Sequence, residues 1–327
     1  MQIILSTLIS FKQGLKAGHF FQDVIEHFLI GGFLARTGHD VSLLGRAWHL
    51  DIIKKQGLVI TGIWGDYRIK ALELFRSVDE IKKKNPAFDL IILTVKSYDT
   101  EPAVKELKGL MVEKTMLLSF QNGLGNIETI LKEGIPPESY LAGRVIFGAD
   151  VSPGIAKVTV TADDTLVGAL PGIETKMSAF QMERTLNAAK IPARAVPDIL
   201  THIWAKVIYN CALNGICSIH EIPYGKILED PETKKQMEMI IRECYAVGLK
   251  KGVALVPQTA DAFIELMIQT LIPRTAAHFP SMLQDLKRGK RTDIDALNGA
   301  VCRLGKELGI STPENDKILQ QIQARKV

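Results

Sequence analysis

Three polar residues could do chemistry together: Lys206, Asn210 and Asn214 recur every fourth position in the stretch DILTHIWAKVIYNCALN. On a helix with about 3.6 residues per turn, each step of four drifts by about 40°, so the three side chains project over one narrow sector. An ammonium can offset negative charge that builds on a substrate oxygen, and neutral carboxamides can orient a substrate. A solvated polar stripe is the alternative, but the rest of this stretch is apolar, as in a helix that is largely covered.

Two more candidates stand where buried strands are predicted to end. Lys96 ends the apolar run DLIILTVK, and Asn122 ends TMLLSFQN, just before a Gly-Leu-Gly turn. Uninterrupted apolar runs of this length are typical of parallel strands that are buried on both faces. Because the ligands of such sheets bind at the carboxyl ends of the strands, the two residues together favour a nucleotide-binding edge over two ordinary loop positions.

Earlier in the chain, GGFLARTGHDVSLLGR has the pattern of half a dinucleotide-binding unit. Gly31 and Gly32 open a predicted short helix that Gly38 ends, and an apolar strand then runs to Gly45 and Arg46. An arginine at the end of this second strand, in place of an acidic residue, favours NADP over NAD as the cofactor. A solvated loop arginine is the alternative.

Ser281 and Asp293 lie at the starts of two predicted helices. The runs from Ser281 to Gln284 and from Thr292 to Asp295 both match a capping box, in which the first and last side chains bond reciprocally to the backbone. Local pattern alone favours an N-cap role for Ser281 and a first-turn acid for Asp293. A capping serine can also lend its backbone amide to a ligand carboxylate, because helix N-termini bind anions.

The elements that must position these residues fall into two groups. Strands alternate with helices up to about residue 142, short β-rich pieces and one helix follow, and every pattern after Pro197 is helical. The prediction is an α/β protein with an N-terminal Rossmann-type (doubly wound) domain at 1–197 and an all-α C-terminal domain at 198–327. Residues 1–30 are atypical, since QIILSTLI suits a strand and FFQDVIEHFLI suits an amphipathic helix. The helices predicted after Pro197 are 198–217, 231–251, 258–272, one from Ser281, 292–309 and one from Pro313.

Composition excludes several classes of protein. The 327 residues are 46% hydrophobic and 23% charged, which is ordinary for a globular protein, and a net charge of +4 is too small to indicate nucleic-acid binding. The four cysteines form no CxxC pair, so we expect reduced, buried thiols in a cytoplasmic protein and no metal site. No apolar run is long enough to span a membrane, and the N-terminus lacks the pattern of a signal peptide.

Five segments, taken in order, resemble the ketopantoate reductase (2-dehydropantoate 2-reductase) family over residues 30–320. They are GGFLARTGHDVSLLGR, LTVKSYDT, SFQNGLGN, THIWAKVIYNCALN and SMLQDLKRGKRTDIDALNGAV. The resemblance implies an N-terminal Rossmann domain, a helical C-terminal domain and a cleft between them. It implies NADPH-dependent reduction of the ketone of 2-dehydropantoate to (R)-pantoate, on the route to pantothenate and coenzyme A.

The resemblance also implies roles for individual residues. Lys206 falls on the family's catalytic lysine, which protonates the ketone oxygen, and Asp293 falls where the family usually has a catalytic glutamate. Substrate contacts are implied for Asn122, Asn210, Asn214 and Ser281, the serine gripping the substrate carboxylate. Cofactor contacts are implied for Gly31, Gly32, Arg46, Lys96 and Asn122, with Arg46 pairing with the 2′-phosphate. The expected partners are a small 2-oxo acid and, as a possibility left open, a second copy of the chain; no nucleic acid and no membrane are expected.

The N-terminus departs from the family pattern of a strand followed by G-x-G-x-x-G. Placing Gly31 and Gly32 on the last glycines puts Glu26 and Phe28 where the first two should be. A phenylalanine there would obstruct the cofactor phosphates and a glutamate would repel them. Two alternatives to a ketopantoate reductase therefore stay open: a reductase of another 2-oxo acid on the same fold, and a non-enzymatic relative that has lost the cofactor.

Overall fold

The structure, a computed structural model, describes residues 1–6, 25–84 and 87–325. The chain divides into two units, one made of Met1–Gln121 with Asn126–Ile199 and the other of Asn122–Gly125 with Leu200–Val327. The strands are β1 Gln2–Ser6, β2 Asp40–Leu44, β3 Leu58–Gly62, β4 Tyr67–Ile69, β5 Glu73–Phe75, β6 Leu90–Leu93, β7 Met116–Ser119, β8 Tyr140–Arg144, β9 Phe147–Ser152, β10 Ile155–Thr161, β11 Thr165–Gly168 and β12 Ala193–Ala195. The helices are α1 Ile25–Arg36, α2 Ala47–Gln56, α3 Val78–Lys84, α4 Thr100–Leu107, α5 Asn126–Lys132, α6 Ala179–Ala188, α7 Ile199–His220, α8 Pro231–Lys250, α9 Ala260–Leu266, α10 Ile272–Arg274, α11 Ser281–Lys287, α12 Asn298–Leu308 and α13 Pro313–Ala324.

An eight-stranded sheet organises the first unit, in the order β12-β11-β8-β7-β6-β1-β2-β5. Six neighbouring strands of this sheet, β5-β2-β1-β6-β7-β8, are all parallel. Numbered by their order in the chain they run 3-2-1-4-5-6, the order of a doubly wound nucleotide-binding sheet. The apolar runs predicted as strands form β2, β6 and β7, and the uncertain N-terminal run forms β1 at the sheet centre. The predicted α/β fold with an N-terminal parallel sheet and a helical C-terminal region is therefore confirmed.

Gly31 and Gly32 lie inside α1, so the prediction that they open this helix is wrong. A Cβ on Gly31 would come within 2.8 Å of Leu43 Cδ2, and one on Gly32 within 2.8 Å of Ile60 Cδ1. The two glycines thus let α1 pack closely on the strands below it, which is the part that the last glycine plays in a dinucleotide-binding turn. The predicted end at Gly38 is confirmed, because α1 stops at Arg36 and Gly38 has a φ of 85°.

A second, four-stranded sheet of order β4-β3-β10-β9 also belongs to the first unit. The short β-rich pieces predicted after residue 142 include β9 and β10, which form an antiparallel hairpin. However, β10 also pairs in parallel with β3, from a stretch for which no element was predicted. The turn between β9 and β10 is also bonded to α2, because the backbone N–H of Gly154 donates to Nδ1 of His49 at 2.8 Å.

The second unit is helical as predicted, with two differences. The segment predicted as one helix from 258 passes through a π-helical turn, Met267–Leu271, between α9 and α10. The segment predicted as 292–309 is a 3-10 helix, Asp293–Ala296, followed by α12, with Leu297 at the break between them. In the described part of the chain, none of the helices combines the length and the apolar character that a membrane span requires.

Candidate functional site

The carboxyl ends of two parallel strands bring Arg46 and Lys96 to one edge of the first unit's sheet. Arg46 is the N-cap of α2, two residues after β2, and Lys96 precedes the 3-10 turn Ser97–Asp99 that follows β6. Asn122 follows β7, although the short loop it begins is grouped with the second unit. All three side chains are half-buried. The edge therefore carries a guanidinium and an ammonium, two donors that suit the phosphate and ribose groups of a dinucleotide.

A network of polar side chains, which the sequence patterns did not predict, braces this edge. Gln121 donates to the carbonyl of Val95 at 2.9 Å and to the hydroxyl of Thr100 at 2.7 Å. Thr100 in turn donates to Asn126 Oδ1 at 2.9 Å, and Asn126 Nδ2 donates to the hydroxyl of Ser97 at 3.1 Å. These bonds join the segments that follow β6 and β7, so the backbone beside Lys96 is held in one position.

Residues 7–24 and the side chain of Glu26 lie outside the described residues. The expectation that Phe28 stands in the phosphate-binding loop is wrong. Phe28 lies in α1 with no exposed surface, and its ring packs edge-on against that of His49 at 4.0 Å between centroids. It is therefore a core residue of α1. The described residues of the first unit thus fit a nicotinamide dinucleotide at the ends of β2 and β6.

In the second unit, Lys206, Asn210 and Asn214 do lie on one helix, α7. Lys206 and Asn210 are half-buried, whereas Asn214 is only 7% exposed. The hydroxyl of Tyr224 donates a hydrogen bond to Oδ1 of Asn214 at 2.7 Å. Within the described chain, the Asn214 amide nitrogen and the whole Asn210 carboxamide have no hydrogen-bond partner, which leaves these groups available to a ligand.

The short helix that begins at Asp293 is fixed to the loop that begins at Asn122. The backbone N–H of Leu124 donates to the carbonyl of Ala296 at 2.8 Å. Gly123 has a φ of 88°, and a Cβ there would meet the Cβ and the carbonyl oxygen of Ala296 at 2.7 Å. Only glycine allows this approach without strain. The second unit therefore holds the chain beside Asn122 close to the chain beside Asp293.

Neither predicted capping box forms around Ser281 or Asp293. The N-cap of α11 is Pro280, and Ser281, the first helical residue, makes no side-chain capping bond. Thr292 does cap its short helix, accepting from the N–H of Ile294 at 3.4 Å, but Asp295 does not reciprocate. The carboxylate of Asp295 accepts instead from Arg291 at 3.1 Å and from Gln323 at 2.9 Å. The cause is the break at Leu297, which makes this segment too short and too tightly wound for a regular first turn.

The four cysteines remain free thiols, with Cys211, Cys217 and Cys244 buried and Cys302 half-buried. Burial raises the pKa of the Cys217 thiol to about 12, so it stays protonated near neutral pH. Among residues 1–6, 25–84 and 87–325, no three metal-ligating side chains come together.

Both units of the chain match models of known protein families. Residues 28–172 match the family model described as "Ketopantoate reductase PanE/ApbA", and residues 198–326 match "Ketopantoate reductase PanE/ApbA C terminal". The chain is 37% identical over 300 residues to the 2-dehydropantoate 2-reductase of Aquifex aeolicus (strain VF5), covering 90% of this chain and 92% of the relative. It is 32% identical over 302 residues to that of Pyrococcus horikoshii, covering 91% of this chain and 93% of the relative.

Two solved structures share the whole architecture. The PanE/ApbA family ketopantoate reductase from Ralstonia eutropha JMP134 superposes with a TM-score of 0.82 at 27% identity, covering 100% of this chain and 98% of that one. D-mandelate dehydrogenase, in a ternary structure with NADH and anilino(oxo)acetate, superposes with a TM-score of 0.82 at 25% identity over the same shares of the two chains. The common architecture is thus one that carries reductases dependent on a nicotinamide cofactor.

Proposed function

Because this chain belongs to the ketopantoate reductase family, we propose that it reduces 2-dehydropantoate to (R)-pantoate with NADPH, a step towards pantothenate and coenzyme A. The observation that carries this proposal is the row of Lys206, Asn210 and Asn214 on the single helix α7. An ammonium beside two carboxamides, of which one is anchored and one is unpartnered in the described chain, is suited to a ketone substrate.

Lys206 is the proposed proton donor. When bound, the reduced nicotinamide supplies the hydride that adds to the carbonyl carbon. As the carbon–oxygen π bond breaks, negative charge builds on the ketone oxygen, and the Lys206 ammonium stabilises it through a hydrogen bond. Lys206 then gives its proton to that oxygen, forming the alcohol, and regains a proton from solvent. Acid catalysis of this kind contributes about 10²–10⁴ in rate.

The other second-unit residues orient the substrate in this proposal. Asn210 and Asn214 are neutral, so they hold the 2-oxo acid without weakening the acidity of the ammonium, as a carboxylate would. Ser281, whose hydroxyl makes no capping bond, binds the substrate carboxylate at the start of α11. Asp293 offers only acceptor oxygens, and the hydroxyl of 2-dehydropantoate is the single donor on that substrate. We therefore assign Asp293 to the substrate hydroxyl.

The first unit, with Asn122 of the second unit, is assigned to the cofactor. Arg46, at the end of β2, binds the 2′-phosphate that distinguishes NADPH from NADH, because a guanidinium matches a phosphate with two parallel hydrogen bonds. Lys96, at the end of β6, and Asn122, after β7, bind the nicotinamide ribose side. Gly31 and Gly32 contribute by letting α1 lie close on the sheet.

The test of this function is turnover by the full chain. NADPH and 2-dehydropantoate are mixed with the protein and the absorbance of the reduced nicotinamide is followed. We expect K206A to lose about 10²–10⁴ of kcat, whereas K250A, at an exposed lysine near the end of α8, should behave as wild type. Wild-type turnover no faster than that of K206A would reject the proposal.

A second candidate is a reductase that acts on another 2-oxo acid with NADH, favoured by the likeness to D-mandelate dehydrogenase. A substrate and cofactor panel separates the two. For ketopantoate reduction, D293N should lower kcat/KM for 2-dehydropantoate but not for 2-oxoisovalerate, which has no hydroxyl group. A wild-type preference for 2-oxo acids without that hydroxyl, with NADH as the better cofactor, would instead establish the second candidate.

A further inference from the structure

The hydroxyl of Tyr224 donates its hydrogen bond to another side chain, whereas most side-chain hydrogen bonds in proteins are made to the backbone or to water. Tyr224 is 4% exposed and lies in a 3-10 turn, Tyr224–Leu228, after α7. Its O–H donates to Oδ1 of Asn214 at 2.7 Å. In the same unit, Tyr245 satisfies its hydroxyl with a backbone carbonyl, that of Pro257, at 2.8 Å. The Tyr224 bond therefore fixes a side-chain orientation, which a bond to the backbone would not do.

The direction of the bond decides which end of the Asn214 carboxamide faces the site. Burial raises the pKa of the Tyr224 phenol well above its ordinary value, so the hydroxyl stays a donor. A donor selects the amide oxygen, and the NH2 group then points elsewhere. In the described chain that NH2 group meets no acceptor. The group that Asn214 presents to a ligand is consequently a pair of N–H donors.

We propose that Tyr224 is a positioning residue that locks the Asn214 carboxamide so that its NH2 group donates to an acceptor oxygen of the 2-oxo acid. This inference rests on the proposed function. The acceptors of such a substrate, its ketone oxygen and its carboxylate, are present before hydride transfer, so a fixed donor at Asn214 strengthens substrate binding, and its loss raises the KM without lowering kcat. A carboxamide that could rotate freely would present its oxygen, instead of its NH2 group, to the substrate in a fraction of the protein molecules.

Tyr224 also holds the segment that leads to Ser281. Its backbone N–H donates to the carbonyl of His278 at 3.0 Å, and its ring lies 5.2 Å from the ring of His278. The next residue, Gly225, donates to the carbonyl of Ala276 at 2.9 Å. One short turn thus anchors both Asn214 and the chain that ends in Ser281. The substitution Tyr224→Phe keeps the backbone anchors and the ring, and removes only the bond to Asn214.

A double-mutant cycle tests the proposal on the full chain. Y224F should raise the KM for 2-dehydropantoate about 5- to 10-fold, the size expected for one hydrogen bond, with kcat and the KM for NADPH within about twofold of wild type. N214A should raise the KM at least as much, and Y224F/N214A should match N214A alone, because Tyr224 acts through Asn214. Y245F, which loses a phenolic hydrogen bond of similar length away from this site, should leave the KM unchanged.

The variant N214D tests whether Asn214 presents its NH2 group to the substrate as a donor. In N214D one carboxylate oxygen accepts from Tyr224 and the other faces the substrate as a charged acceptor, so its KM should exceed that of N214A. With wild-type turnover present, any of three results would overturn the inference. They are a rise in KM for Y224F/N214A equal to the product of the two single rises, a rise in KM for Y245F equal to that for Y224F, and a KM for N214D no higher than that for N214A. Absence of wild-type turnover would reject the proposed function and this inference with it.

Discussion

Acid should destabilise the first unit through two buried histidines, His27 on α1 and His49 on α2. His27 has no exposed surface, and neither of its ring nitrogens has a hydrogen-bond partner among the described residues. Burial, followed by the proximity of His49, lowers the pKa of His27 to about 3. Burial lowers the pKa of His49 to about 4, although its Nδ1 accepts a bond from Gly154. Both rings are therefore held neutral in the folded state.

The magnitude follows from proton linkage. An unfolded histidine titrates near 6.5, so below that pH the unfolded chain binds protons that the folded chain refuses. The stabilisation is present above about pH 6.5 and is lost as the pH falls towards the folded pKa values of about 3 and about 4. Between pH 7.5 and pH 5.0 each histidine should lower the free energy of unfolding by about 2 kcal/mol, or about 4 kcal/mol for the pair.

Urea unfolding at the two pH values measures this loss, with circular dichroism and tryptophan fluorescence as probes. H27L removes one titrating ring from an apolar position, so its loss between pH 7.5 and pH 5.0 should be about 2 kcal/mol smaller than that of wild type. The control is H220L, at an exposed histidine that ends α7, which should keep the wild-type pH dependence. If H27L and wild type lose the same stability on acidification, the reasoning from burial is wrong.

Three further substitutions test the cofactor assignment and the packing of the second unit. R46A should raise the KM for NADPH about tenfold or more and leave the KM for NADH nearly unchanged, which steady-state kinetics with both cofactors would show. G215A should lower the free energy of unfolding by about 1–3 kcal/mol, because the new Cβ would clash with Cγ2 of Ile318; a thermal melt equal to that of wild type would contradict this. E243A should cost about 2–3 kcal/mol, because the carboxylate of Glu243 accepts from two backbone amides at the start of α13, at 2.9 and 3.0 Å, and E243Q should recover part of the loss in urea unfolding.

Periodicity was enough to predict the elements that bury an apolar face. The runs that became β6 and β7 are apolar throughout, and α7 carries its apolar residues at helical spacing, so each pattern had one physical solution. The two glycines of α1 show where the pattern fails. A glycine pair next to an apolar run suits a loop as well as a tightly packed helix, and only the positions of Leu43 and Ile60 decide between them.

The capping errors have a similar cause. Ser281 and Thr292 both precede a residue that completes a capping box, yet neither box forms. Pro280 has extended backbone angles that suit an N-cap, so the helix starts one residue earlier than its serine would require. At Thr292 the helix is a tight 3-10 turn, and Asp295 is drawn to Arg291 and to Gln323 on α13. A contact 28 residues away in sequence outweighs the local pattern.

The two asparagines of α7, Asn210 and Asn214, show the same limit of sequence patterns at the candidate site. Spacing predicted that Asn210 and Asn214 share a face with Lys206, and by sequence alone they are equivalent. In the folded chain they differ, because Tyr224 bonds the oxygen of Asn214 and no described residue bonds Asn210. The orientation of a carboxamide is decided by partners outside its own helix, and no periodicity contains that information. A sequence can therefore place the groups of this site in a row, but which of them are fixed donors depends on a turn ten residues further along the chain.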